Sequence, residues 1–117
     1  MQRGKILREL MKVEYGAYLG RILSSIDFPE PPPFGGAIVE IEQGQSVILH
    51  SHHEAEIYLI LEGKGIMQVK TETFEVSSGD TILIEPFEEH SLRNHQKQMI
   101  RMVAIWWELK NHSLANT

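Results

Sequence analysis

The 117-residue sequence predicts an all-β protein, a sandwich or closed barrel of short strands. Two observations carry that expectation. Runs rich in Ile, Val, Leu, Tyr and Phe recur at spacings of roughly 8 to 14 residues, the rhythm of a strand-and-turn protein. Between them stand turn signals, "EQGQ", "EGKG", "KTET", "SSGD" and "NHQKQ", while no long segment carries the 3.6-residue period of a helix.

Taken in order, the strands are expected at 5–10, 17–23, 36–42, 46–51, 56–62, 65–70, 73–76, 81–84, 90–94 and 99–109. The first competes with a helix over 5–12, because ILRELM also has helix-compatible spacing. Pro29 to Phe34, "PEPPPF", cannot join a central ladder and reads as an extended link. Val39 and Ile41 alternate with Glu40 and Glu42, as on a half-buried strand. "IYLIL" and "MVAIWW" are continuously apolar, as in strands covered on both faces. Gly63 and Gly65 flank Lys64 in "EGKG", read as a hairpin turn that needs positive φ. The terminal "NHSLANT" is expected to fray.

Composition narrows the function. A net charge of −5 with scattered Lys and Arg leaves no basic stripe for phosphates, which argues against nucleic acid as a partner. The N-terminal "MQRGKILREL" lacks the apolar run of a secretory signal, and no stretch approaches the roughly 20 apolar residues of a membrane span. A cytoplasmic location is the expectation. With no cysteine, disulfides and thiolate chemistry are excluded, and any metal must be held by N and O atoms.

Three of the six histidines crowd into "HSHHEAE", residues 50–56. His50 and His52 are two apart and share a strand face, a face that Ile48 makes apolar on the preceding turn of the pleat. Glu56 follows after a gap sufficient for a tight turn, so that it can sit opposite both rings on an antiparallel neighbour. His90 follows another strand and a proline turn. Three imidazoles and a carboxylate suit borderline divalent ions: Fe, Mn, Co, Ni, Cu or Zn. His53 has the opposite parity and is expected in solvent, as is Glu54. His95 and His112 lie in a polar turn and the tail, with no role assigned.

"GQSVILHSHHEAEIYLILEGKG", residues 44–65, resembles the first motif of the cupin superfamily, with Gly44, His50, His52, Glu56 and Gly63 at the family spacing. "GDTILIEPFEEHSLRN", residues 79–94, is similar to the second motif, with Gly79, His90 and Asn94 in place. Its centre departs from the family: Glu85 stands at the usual proline position, with Pro86 next, and Phe87 at the glycine position, which predicts a remodelled turn. The resemblance implies a double-stranded β-helix, or jelly-roll barrel, as one domain over 1–117. It implies His50, His52, Glu56 and His90 as ligands of one divalent metal ion. It also implies a homodimer built with the strands of about 1–35, to which the apolar 17–23 segment and the two-faced 99–109 strand lend themselves.

Further candidates depend on strand faces. Tyr58 shares parity with Glu56 and is a catalytic candidate beside it; Asn94 shares that of His90 and is expected to bond backbone. Arg101 and Trp107 share one face of the last strand, and Met102, Ala104 and Trp106 the other. Arg101 and Trp107 would suit an anionic ligand if theirs were the cavity face; the favoured arrangement makes one face core and the other a dimer interface. Arg21 is a second candidate anion contact. Two functions stay open. One is a metal-dependent enzyme, a dioxygenase, decarboxylase, lyase or isomerase, on a small organic acid or sugar-like substrate. The other is a non-catalytic module binding metal or a small ligand. No helix-turn-helix is read ahead of the barrel, which argues against cupin-type transcription regulators.

Overall fold

The computed structural model describes residues 1–109. Ten strands follow one 3₁₀ turn, Arg8–Leu10. They are Lys12–Glu14 (β1), Ala17–Arg21 (β2), Gly35–Ile41 (β3), Ser46–His50 (β4), Ala55–Glu62 (β5), Lys64–Val69 (β6), Glu72–Ser77 (β7), Thr81–Ile84 (β8), His90–Arg93 (β9) and Ile100–Trp107 (β10). Six form one sheet in the order β1-β2-β3-β10-β5-β8, and four form the other, β4-β9-β6-β7, with every pairing antiparallel. The result is a jelly-roll barrel, as the strand rhythm and motifs implied.

The core lies between the inner faces. Val39, Ile41, Ile60, Ile84, Ile100 and Met102 from the larger sheet meet Val47, Met67, Val76 and Leu92 from the smaller. Asn94 closes one end. Its amide donates to the Ile41 carbonyl at 2.8 Å and the Gln98 carbonyl at 2.9 Å, and its side-chain oxygen accepts from the Gln96 N–H at 2.8 Å. The expectation that Asn94 bonds backbone holds.

Several readings are corrected. Residues 5–10 form no strand; a 3₁₀ turn with no buried residue stands there, and the first strand, Lys12–Glu14, comes later. The segment is held from outside, Arg8 bonding Glu40 and Glu42 and lying 3.7 Å over the Tyr18 ring. "EGKG" is not a hairpin turn, because β5 and β6 belong to different sheets. Gly63 has φ +90 as expected, at the corner where the chain changes sheet, and a Cβ there would meet the Met99 carbonyl at 2.7 Å. Gly65 lies within β6 and is required instead by close approach, since a Cβ would fall 2.8 Å from the Arg93 carbonyl.

The parity of β4 also fails where it was used. Val47 pairs with Leu92 and His50 with His90, so β4 carries one residue more than β9 between these points. This bulge turns Val47 inward and leaves Ile48 55% exposed, so Ile48 does not share the histidine face. The N–H of Ile48 instead donates to the Tyr15 carbonyl at 2.8 Å, fastening the tip of the β1–β2 hairpin to β4. That tip is a two-residue turn, Tyr15 at φ 54 and Gly16 at φ 92. Both values are positive, as a type I′ turn requires. The tail and His112 lie outside the described residues.

Candidate metal centre

Three elements bring the histidines together. His50 ends β4 and His90 starts β9, directly opposite each other in the ladder. His52 lies just past β4, its loop tied down by the Phe87 N–H donating to the His52 carbonyl at 2.8 Å. The Phe87 turn is the one expected to be remodelled, and Phe87 does adopt a left-handed φ of 66 at the family's glycine position. His90 nevertheless faces the other two rings. One ring nitrogen from each of His50, His52 and His90 lies within 4.8 Å of the others, so the three histidines are positioned to bind a metal ion.

The hydrogen bonds set the tautomers. Nδ1–H of His50 donates to the Ile48 carbonyl at 2.7 Å, that of His52 to Glu54 at 3.0 Å, and that of His90 to Glu88 at 2.8 Å. A carbonyl can only accept, so each neutral ring carries its proton on Nδ1 and keeps a lone pair on Nε2. Backbone bonds of this kind orient and sharpen histidines as metal ligands. His90 is completely buried, and its Nε2 is the one buried side-chain polar atom among the described residues without a hydrogen-bond partner. Such an orphan is costly unless something not made of protein meets it. Burial is also the main cause that lowers the His50 pKa, with His90 and His52 adding to it, which favours the neutral ligand form.

Glu56 arrives from the opposite sheet, not from a ladder neighbour of β4 as expected, because β5 pairs with β10 and β8. Its Oε1 lies 3.1 Å from His52 Nε2 and 3.4 Å from His90 Nε2. Donors about 2.1 Å from one ion stand about 3.0 Å apart at a right angle and about 3.4 Å apart at the tetrahedral angle. The two observed separations match these lengths. His52 Nε2 and Glu56 Oε1 are at hydrogen-bonding distance; with the His52 proton on Nδ1 both atoms would be acceptors, and a cation between them would satisfy both. The donor set fits a divalent ion.

The centre opens into a cavity of about 160 Å³. Tyr58 forms part of its wall, its ring edge-on to His90 at 6.0 Å between centroids. Burial, and secondarily Glu56, raise its pKa well above the usual phenol value, so Tyr58 stays a neutral hydroxyl. Met102, Ala104 and Trp106 line the cavity. Arg101 and Trp107 are on the other face of β10, and Arg101 bonds Glu40 at 3.2 Å on the outside, so Arg101 is not brought to the centre. His53 is exposed and bonds Glu108 at 2.7 Å, as its parity suggested. Glu54 is corrected: it is partly buried and lines the cavity, with its carbonyl on His52.

Arg21 does line the cavity, as do Glu14 and Tyr15, which sequence reasoning passed over. The Tyr15 ring stacks on His50 at 4.4 Å. The signal that could have found them is Tyr15-Gly16 between two short strand-like runs, a compact hairpin.

The sequence profile of the cupin domain matches residues 37–106. The chain belongs to the cupin family. An uncharacterized protein of Methanocaldococcus jannaschii is 48% identical over 59 residues, covering 50% of this chain and 46% of that one. An oxalate-binding protein of Thermotoga maritima is 31% identical over 70 residues, 59% of this chain and 58% of its own. The matches thus span about half the length of these curated relatives. Among solved structures, the plu4264 protein of Photorhabdus luminescens superposes with a TM-score of 0.81 at 29% identity, over 95% of this chain and 90% of that one.

Proposed function

We propose that His50, His52, Glu56 and His90 hold one divalent ion, and that the chain is a metal-dependent enzyme acting on a small organic acid in the adjoining cavity. One observation carries the metal assignment: three Nδ1 atoms are committed to carbonyls, one ring nitrogen of each histidine lies within 4.8 Å of the others, and His90 Nε2 is buried and unpartnered. The bound ion would supply Lewis-acid or redox chemistry. Around it, Tyr58 offers a neutral hydroxyl for a substrate oxygen, and the apolar Met102, Ala104 and Val39 exclude water. The likeness to an oxalate-binding protein supports a small acid as ligand. No helix among the described residues is long and apolar enough to cross a membrane, and the cysteine-free chain suits a cytoplasmic setting. We further propose a homodimer.

Metal analysis of protein purified without added metal tests the assignment. About one divalent ion per chain is expected, as one four-ligand centre requires. His50→Ala, His52→Ala and His90→Ala should each lose most of it, Glu56→Gln less, and His53→Ala none. Full occupancy in His52→Ala protein would overturn the centre. Catalysis is tested separately by incubating the loaded protein with oxalate and related small acids. Turnover should fall at least about tenfold in Tyr58→Phe with metal content unchanged, as loss of one positioned hydroxyl implies. Binding without consumption of any acid would identify a binding module instead.

A further inference from the structure

Glu14 and Arg21 sit on the inner side of the β1–β2 hairpin. Glu14 pairs with Ala17 and Lys12 with Leu19, so positions 12, 14, 17, 19 and 21 share one face, with Lys12 exposed. Ala17 is buried in the core, whereas Glu14, Leu19 and Arg21 line the same cavity as His50, His52 and Glu56. Arg21 Nη1 donates to Glu14 Oε2 at 2.6 Å and Nη2 to Oε1 at 3.1 Å, the forked geometry in which a guanidinium reads any carboxylate. A guanidinium has five N–H donors, so three remain, and none has an acceptor among the described residues.

We infer that Arg21 recognises the carboxylate of a small organic anion entering this cavity, and that Glu14 competes with that ligand for the same guanidinium. The inference rests on the reading of the cavity as a small-acid site. Arg21 is the one lysine or arginine lining the cavity, against the carboxylates of Glu14, Glu54 and Glu56. Among the side chains of the wall, only Arg21 offers an anion an attractive charge. The Arg21 side chain is 51% exposed and that of Glu14 31%, and a pair so accessible contributes little to the hairpin by itself. The wall bearing Arg21 is also fixed relative to the histidines, since Tyr15 bonds the β4 bulge and stacks on His50. A cavity of about 160 Å³ is close to one of about 150 Å³ that holds benzene, so a ligand of that size that fills it meets both walls.

Removing either partner has opposite consequences, which separates recognition from mere structural support. Malonate serves as the probe and malonamide as its uncharged counterpart, titrated calorimetrically into metal-loaded and chelator-stripped protein. Arg21→Met should weaken malonate at least about tenfold and Arg21→Lys less, as loss of a charge-assisted fork implies. Glu14→Gln should tighten malonate about threefold or more, because the internal competitor is gone. Malonamide should respond to none of these changes. Malonate binding in Glu14→Gln no tighter than in the natural protein, or unchanged in Arg21→Met, overturns the inference. If no metal is found, the Arg21 dependence is still read in the stripped protein. If metal is present but malonate ignores these substitutions, only this inference falls.

Discussion

Asn94 commits its whole side chain to backbone, and its replacement measures what that is worth. The Ile41 carbonyl it serves is buried, whereas the Gln96 and Gln98 groups lie on an exposed loop where water can take over. Asn94→Ala should therefore cost about 2 kcal/mol, the penalty of one buried orphan with smaller losses beside it, read as a lower urea midpoint with unchanged slope. Metal content should not follow. At this scale the sequence was informative where spacing and side-chain chemistry are joined: the grouping of His50, His52 and His90 was legible because few residue types can ligate and the motif spaces them. Tyr15 was invisible for the opposite reason. It reaches His50 only because a bulge frees the Ile48 N–H to take the Tyr15 carbonyl, and a bulge has no signature in residue type.

Elements were legible in proportion to their burial. The strands of the core, with Ile, Val and Leu at alternate positions, fall within a residue or two of expectation, while the exposed N-terminal segment was misread because little apolar pattern exists there to read. Strand partners were not legible at all. Nothing local tells β5 to leave β4 and β6 and to lie between β10 and β8, and the hairpin reading of "EGKG" failed on that point. The β1–β2 hairpin carries a prediction of its own. The hydrogen bond to Arg21 lowers the Glu14 pKa, outweighing the opposing effect of burial. A carboxylate depressed in the folded state stabilises above its unfolded pKa of about 4.3 and loses that contribution as pH falls through the lower folded value. The natural protein should thus melt above Glu14→Gln at pH 7, and the gap should close as pH drops from about 4.5 towards 3. A gap that is constant over this range would show that the pair contributes nothing through charge.

The molecule as a whole leaves one face unexplained by its own fold. On the outer side of the larger sheet, Ile38 and Leu59 flank Val103, and Ile57 lies between Ile105 and Leu83. Leu59 is 37% exposed and Leu83 56%. No ionisable side chain interrupts these six positions; the nearest charged cluster, Arg101 with Glu40 and Arg8, stands at the end of the strands. A continuous apolar sheet face is an association surface, and one without charge offers a foreign partner nothing to complement. In the proposed homodimer, a second copy turned about a two-fold axis would present the same residues in return and bury both faces at once. The run "MVAIWW" did not tell which of its faces would point outward: Met102 and Ala104 went to the core, leaving Val103 and Ile105 outside. Light scattering at micromolar concentration should give twice the 13.4 kDa chain mass. Leu83→Asp, which places a charge on the most exposed of these positions, should return the 13.4 kDa species with metal content intact, because Leu83 faces away from the cavity. A single-chain mass for the natural protein at that concentration would exclude the dimer, and a dimer unaffected by Leu83→Asp would place its interface on another surface.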